Sequence, residues 1–132
     1  MVLASASPRR RDLLTQLGYQ PAQSPVDIDE SVRENEKPFA YVERMAKEKL
    51  EAAFNLLAPN AGELIENSED ASLIVLAGDT ICVKGSEILV KPSDYKDFER
   101  MMRLMSGSVH TVASSFALGE IKNGVCRVLN LE

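Results

Sequence analysis

Leu73-Ile74-Val75-Leu76-Ala77 is the longest uninterrupted apolar run of the chain, and no polar residue alternates with it. A strand with one wet face reads apolar-polar-apolar, whereas a strand covered on both faces reads as a continuous run. The run therefore asks for a sheet with other layers packed against it. From Pro38 onward, Phe39, Val42, Met45, Ala46, Leu50, Ala53, Phe54 and Leu57 recur at helical spacing and form one wide apolar stripe that ends before Pro59. A buried strand and a long amphipathic helix together predict an α/β fold, a mixed twisted sheet flanked by helices, rather than a sandwich or a bundle.

The other elements follow from local signals. Met1 to Ala4 reads as a short buried strand, with Ser7 as N-cap, Pro8 at the first helical position and Gly18 as the stop of a helix whose apolar face is Leu13, Leu14 and Leu17. Residues 19 to 37 read as a loop with a brief strand near Val26, and Asn60 to Ser72 as a polar connection. Gly78-Asp79-Thr80 is expected just past the end of the buried strand. Ile81–Val83 and Ile88–Val90 flank a Gly-containing turn, and Ser93 caps a helix to Met105 with Phe98, Met101, Met102 and Met105 inward. Val109 to Gly119, the turn Lys122-Asn123-Gly124 and Val125 to Leu131 make a closing hairpin. The order is β-α-(β)-α-β-β-α-β-β, and the length, 132 residues, suits a single domain, 1–132.

A net charge of −5 leaves no global basic field for nucleic acid. The apolar run is too short to span a bilayer, and the few apolar residues before the arginine cluster do not fit a signal peptide, so a cytoplasmic location is expected. Cys82 and Cys126 stand alone in strand-like segments and read as reduced core thiols. The single His110 follows a helix stop and reads as a structural hydrogen-bonder. Ligation by Cys or His is thereby excluded by count, which leaves oxygen ligands and a hard cation, Mg²⁺ or Mn²⁺.

Arg9, Arg10 and Arg11 fill the first turn of a helix, where the macrodipole disfavours cations by roughly 0.3–1 kcal/mol each. A bound anion reverses that sign: backbone N–H groups, the Ser5 and Ser7 hydroxyls and guanidinium forks can converge on phosphate oxygens. The plainer alternative is a solvated basic turn. Asp79, after a buried strand, stands where open α/β sheets place ligands, or else it serves as an Asx-turn. Glu30 and Asp79 can hold a divalent cation or activate water, and Lys49 and Lys91 can neutralise charge on a leaving pyrophosphate. Neither a P-loop nor a dinucleotide fingerprint is present.

The blocks Leu3-Ala4-Ser5-Ala6-Ser7-Pro8-Arg9-Arg10, Asp27-Ile28-Asp29-Glu30, Tyr41-Val42, Ala46-Lys47-Glu48-Lys49, Gly78-Asp79-Thr80, Lys91-Pro92 and Met105-Ser106-Gly107 with His110 and Val112 resemble, in order, the signatures of the Maf family of nucleoside triphosphate pyrophosphatases. The resemblance implies a cytoplasmic, metal-dependent enzyme that cleaves a nucleoside triphosphate between the α and β phosphates. It also implies a homodimer of the inosine-triphosphatase type of fold; with the charge and the short apolar run, no nucleic-acid or membrane partner is expected. By position, Asp79 matches the catalytic proton acceptor. Ser5, Arg9, Arg10, Lys49 and Lys91 match substrate-binding positions, and Glu30 with Asp79 matches the metal-facing pair. Arg10 and Thr80 match positions tied to dTTP and UTP preference. Ala77-Gly78 reverses the family's usual order, and Ser114 replaces its usual Thr. Family members continue past the closing hairpin, so the chain reads as C-terminally incomplete. That gives the second reading: a weak or silent remnant that binds nucleotide or a cell-division partner.

Overall fold

The computed structural model describes residues 1–60, 72–89, 94–107 and 110–132. Its elements are β1 (Val2–Leu3), α1 (Pro8–Gln16), β2 (Ala22–Gln23), α2 (Pro38–Leu57) with a 3₁₀ turn at Ala58–Asn60, β3 (Leu73–Lys84), β4 (Glu87–Leu89), α3 (Tyr95–Met105), β5 (Thr111–Lys122) and β6 (Val125–Leu131). This is the predicted order. The six strands form one sheet, β2-β1-β3-β5-β6, with β4 also paired to β3. β1 is parallel to β2 and β3, while β3 is antiparallel to β4 and β5, and β5 to β6. The sheet is therefore mixed, as expected.

β3 is the organising strand, and it is longer than its sequence suggested. It runs unbroken through Gly78, Asp79 and Thr80, so Asp79 lies inside a strand rather than past the end of one. The reason is β5, which pairs residue for residue from Leu73↔Ile121 to Val83↔Thr111 and carries the extended conformation across the polar stretch. Alternation then divides the two faces. Val75, Ala77, Ile81 and Val83 are buried on the face toward α2, where Ala46, Leu50, Ala53 and Phe54 pack on Val75, Ala77, Ala117 and Ile121. Gly119 belongs to that contact: a Cβ there would lie 2.9 Å from Phe54 Cε1 and closer still to Cζ. The phenyl ring sits where only glycine leaves room.

The other edge of β3 is interrupted. β1 pairs only at Val75 and Leu76, extended by Ala4 N–H donating to the Leu76 carbonyl at 2.8 Å, and β4 begins only at Cys82. Among the described residues, no strand covers that edge between Gly78 and Ile81. Among the described residues this leaves a notch just beyond the C-terminal end of the parallel strand β1, the position where α/β sheets receive ligands.

Other expectations need correcting. The brief strand lies at Ala22–Gln23, not near Val26, because Ala22 and Gln23 are the residues in register with Val2 and Leu3. α1 has the Ser7 cap, Pro8 and a positive-φ Gly18 as predicted, but it buries no residue; Leu17 is 74% exposed. Phe39 is exposed at the first turn of α2, ahead of the stretch that meets the sheet. α3 is capped by Asp94, whose carboxylate accepts from Asp97 N–H at 2.8 Å. Phe98 and Met102 are exposed; only Met101 of the expected inward residues is buried, while the Met105 side chain lies outside the described residues, as do Ser93, Val90 and residues 61–71. Cys126 is exposed and Cys82 half-buried, so neither is a full core thiol; β6 ends the sheet order among the described residues, and most of its residues are exposed. His110 is exposed. The closing hairpin turns at Asn123 and Gly124, both with positive φ, as its sequence required.

Candidate functional site

Lys49 projects from α2 onto the buried face of the sheet at the level of the notch. Its Nζ donates to Asp79 Oδ1 at 3.1 Å and lies 3.0 Å from Glu30 Oε1. The lysine and aspartate side chains are 16% and 14% exposed, so this is a half-buried pair opening at one carboxylate to solvent. Two carboxylates thus already share one cationic centre. Both are oxygen donors, and among the described residues no third His, Cys, Asp or Glu joins them. This donor set fits a hard divalent cation that completes its shell with water and substrate oxygens, the habit of Mg²⁺.

Glu30 reaches this place from a segment without regular structure, Ile28 to Arg33. Tyr41 Oη donates to the Glu30 carbonyl at 2.6 Å, and Arg44 Nη2 donates to the Ser31 carbonyl at 2.8 Å. Arg44 also grips Glu36 through Nε at 2.7 Å and Nη2 at 2.8 Å, and Glu48 through Nη1 at 3.0 Å. This fork holds the Glu36 carboxyl down to about 2 and raises the guanidinium above its ordinary range. Burial raises the Tyr41 phenol, and the negative Asp79 and Glu30 add to the effect. Sequence reading gave Arg44, Glu36 and Glu48 no role. The available signal was helical spacing: positions 41, 44, 45, 48 and 49 form one stripe of α2.

On the opposite face, α1 presents its first turn to the notch. Arg10 Nη1 donates to Ser5 Oγ at 3.3 Å and Nη2 to Thr80 Oγ1 at 3.3 Å, while Thr80 Oγ1 and Ser114 Oγ share a hydrogen bond of 2.9 Å. Thr80 and Ser114 are cross-strand partners, which is why their hydroxyls meet. Gln23 Nε2 donates to the Ser5 carbonyl at 3.1 Å and steadies the loop before α1. A cavity of about 590 Å³ opens here, lined by the polar Arg9, Arg10, Asp79, Thr80 and Ser114 and the apolar Leu13, Leu14, Val112 and Phe116.

Of the three first-turn arginines, two line this cavity. Arg11 does not; it turns to Asp12 at 3.5 Å. Among the described residues, neither Arg9 nor Arg10 has a carboxylate in ion-pair range, so their charge faces the cavity and the helix dipole uncompensated. The expected site residues therefore form two groups, Ser5, Arg9, Arg10 and Thr80 on one face and Glu30, Lys49 and Asp79 on the other, joined at the notch. Lys91 lies outside the described residues.

The profile of the family described as Maf-like protein matches residues 1–130. Curated relatives include proteins named dTTP/UTP pyrophosphatase from Hahella chejuensis, 42% identical over 118 residues, 89% of this chain and 54% of that protein. Those from Aliivibrio fischeri (42% over 116 residues, 88% and 56%) and Neisseria meningitidis serogroup A (39% over 128 residues, 97% and 61%) bear the same name. The chain spans a little over half the length of these relatives. No helix among the described residues is long and apolar enough to cross a membrane.

Proposed function

This chain belongs to the Maf-like family, and from that membership we propose that it hydrolyses nucleoside triphosphates, dTTP and UTP first among them, to the nucleoside monophosphate and pyrophosphate. The observation that carries this reading is the joining of two unlike half-sites at one point of β3. Guanidiniums without a carboxylate partner among the described residues stand with hydroxyls on one side, and a carboxylate pair around an ammonium on the other.

In this reading the polyphosphate lies across the notch. Arg9 and Arg10 of the first turn of α1 bind its oxygens, and the apolar lining of Leu13, Leu14 and Phe116 receives the base. Asp79 accepts a proton from the water that attacks the α-phosphorus in line. The new O–P bond forms as the bond to the bridging oxygen breaks, and pyrophosphate leaves with that electron pair. Lys49 orients the Asp79 carboxylate and neutralises charge on the transferring group. Glu30 and Asp79 would hold a divalent cation, which would supply further positive charge against the phosphate oxygens. Lys91 is assigned to the leaving pyrophosphate on resemblance alone. A cytoplasmic location and a homodimer belong to the same reading; sedimentation tests the latter, with a monomer at high concentration counting against it.

Incubation with dTTP or UTP and Mg²⁺ or Mn²⁺, with pyrophosphate as the readout, is the direct test. Pyrophosphate release equal to that of an Asp79→Asn variant would refute the assignment.

A further inference from the structure

Glu30 is a loop residue whose side chain is 54% exposed, yet its carboxylate stands 3.0 Å from a lysine on another element. Lys49 itself is on a rigid helix, so the precision of that contact depends on what fixes the loop. The backbone contacts fall at the place that matters: Tyr41 takes the carbonyl of Glu30, and Arg44 takes the carbonyl of the next residue, Ser31. Arg44 then closes the far end of the same loop through its fork on Glu36, whose other bonds come from the loop's own turn: Arg33 N–H donates to Glu36 Oε1 at 3.0 Å, and Glu36 N–H to the Arg33 carbonyl at 3.1 Å. The guanidinium lies 5.6 Å from the centre of the Tyr41 ring, which ties the two grips to each other. Tyr41 is 2% exposed, and Arg44 is also bonded to Glu48 of its own helix, so both grips start from α2.

We propose that Tyr41 and Arg44 are positioning residues that clamp the loop of residues 30–36 to α2 and so hold Glu30 at the cation site it forms with Asp79. The proposal rests on the cation-binding role assigned above to Glu30. Neither residue touches the substrate; both act through the backbone beside the ligand. Releasing the loop returns Glu30 to an ensemble, and the ordering entropy of about one residue must then be supplied on binding. Divalent-cation affinity falls by about five- to thirty-fold.

The test compares Tyr41→Phe, which removes one oxygen and keeps the ring, with Arg44→Gln and Arg44→Lys. Amide hydrogen exchange across residues 30–36 is read without metal or nucleotide, Mn²⁺ binding is read by titration without nucleotide, and pyrophosphate release is read last. The expected result is faster exchange confined to this loop, Mn²⁺ affinity lowered by the factor above with the melting profile retained for Tyr41→Phe, and partial recovery in Arg44→Lys. Unchanged loop exchange in Tyr41→Phe and Arg44→Gln overturns the clamp, whatever the chain does to nucleotides. Faster exchange with unchanged Mn²⁺ affinity overturns the link to Glu30. A parent chain that binds no Mn²⁺ defeats the functional premise instead, and that result is distinguishable because loop exchange is measured independently.

Discussion

Asp79 and Thr80 are chain neighbours, yet the Asp79 carboxylate is held by Lys49 of α2 on one face of the sheet while the Thr80 hydroxyl meets Arg10 of α1 on the other. Strand alternation places them apart, and among the described residues no strand covers the edge of β3 beside them. A ligand long enough to cross the edge of β3 can touch both.

Replacing Asp79 by Asn keeps the shape and removes the proton acceptor. Pyrophosphate release should fall by about 100-fold or more, with little change in melting temperature. Steady-state assay with dTTP beside a thermal melt checks both parts.

Lys49→Met leaves Glu30 and Asp79 without their shared counter-charge. The variant should lose about 1–3 kcal/mol of stability, as expected for half-buried polar groups deprived of a partner. Divalent cation should restore more stability to it than to the parent, a difference that melts with and without Mg²⁺ will show.

Arg10→Ala should weaken triphosphate binding by about tenfold or more, since charge-assisted bonds to phosphate are lost. Arg10→Lys should rescue poorly, because an ammonium cannot span Ser5 and Thr80 as the fork does. Calorimetry with a non-hydrolysable triphosphate measures this directly.

Glu36 is held at about 2 by Arg44, below its ordinary 4.5. A depressed carboxyl contributes stability that is fully present above pH 4.5 and is lost as pH falls toward 2. Glu36→Gln should therefore be less stable at neutral pH and should show a shallower loss of stability across that window. Denaturant unfolding at stepped pH tests the slope.

Gly119→Ala drives a methyl group into the Phe54 ring. Overpacking at this contact should cost about 1–3 kcal/mol, seen as a lower denaturant midpoint with the slope unchanged.

The order of elements, the long helix with its apolar stripe, the Ser7 cap and both hairpin turns were legible in the sequence, because each depends on chemistry within a few residues. Ser5, Arg9, Arg10, Glu30, Lys49 and Asp79 stood out in the sequence because their types suit phosphate and hard-cation chemistry, and Thr80 through the family resemblance. Their partition between two faces did not. It is set by β5, which keeps Gly78, Asp79 and Thr80 extended so that successive side chains fall on opposite faces. The Tyr41–Arg44 clamp was hidden for a similar reason, since its bonds join α2 to carbonyls of a loop whose path no local pattern specifies. Residue identity determined which charges and hydroxyls this protein can bring to a ligand. Only the tertiary structure decided which side of a strand each occupies, because that depends on pairing between segments far apart in the chain.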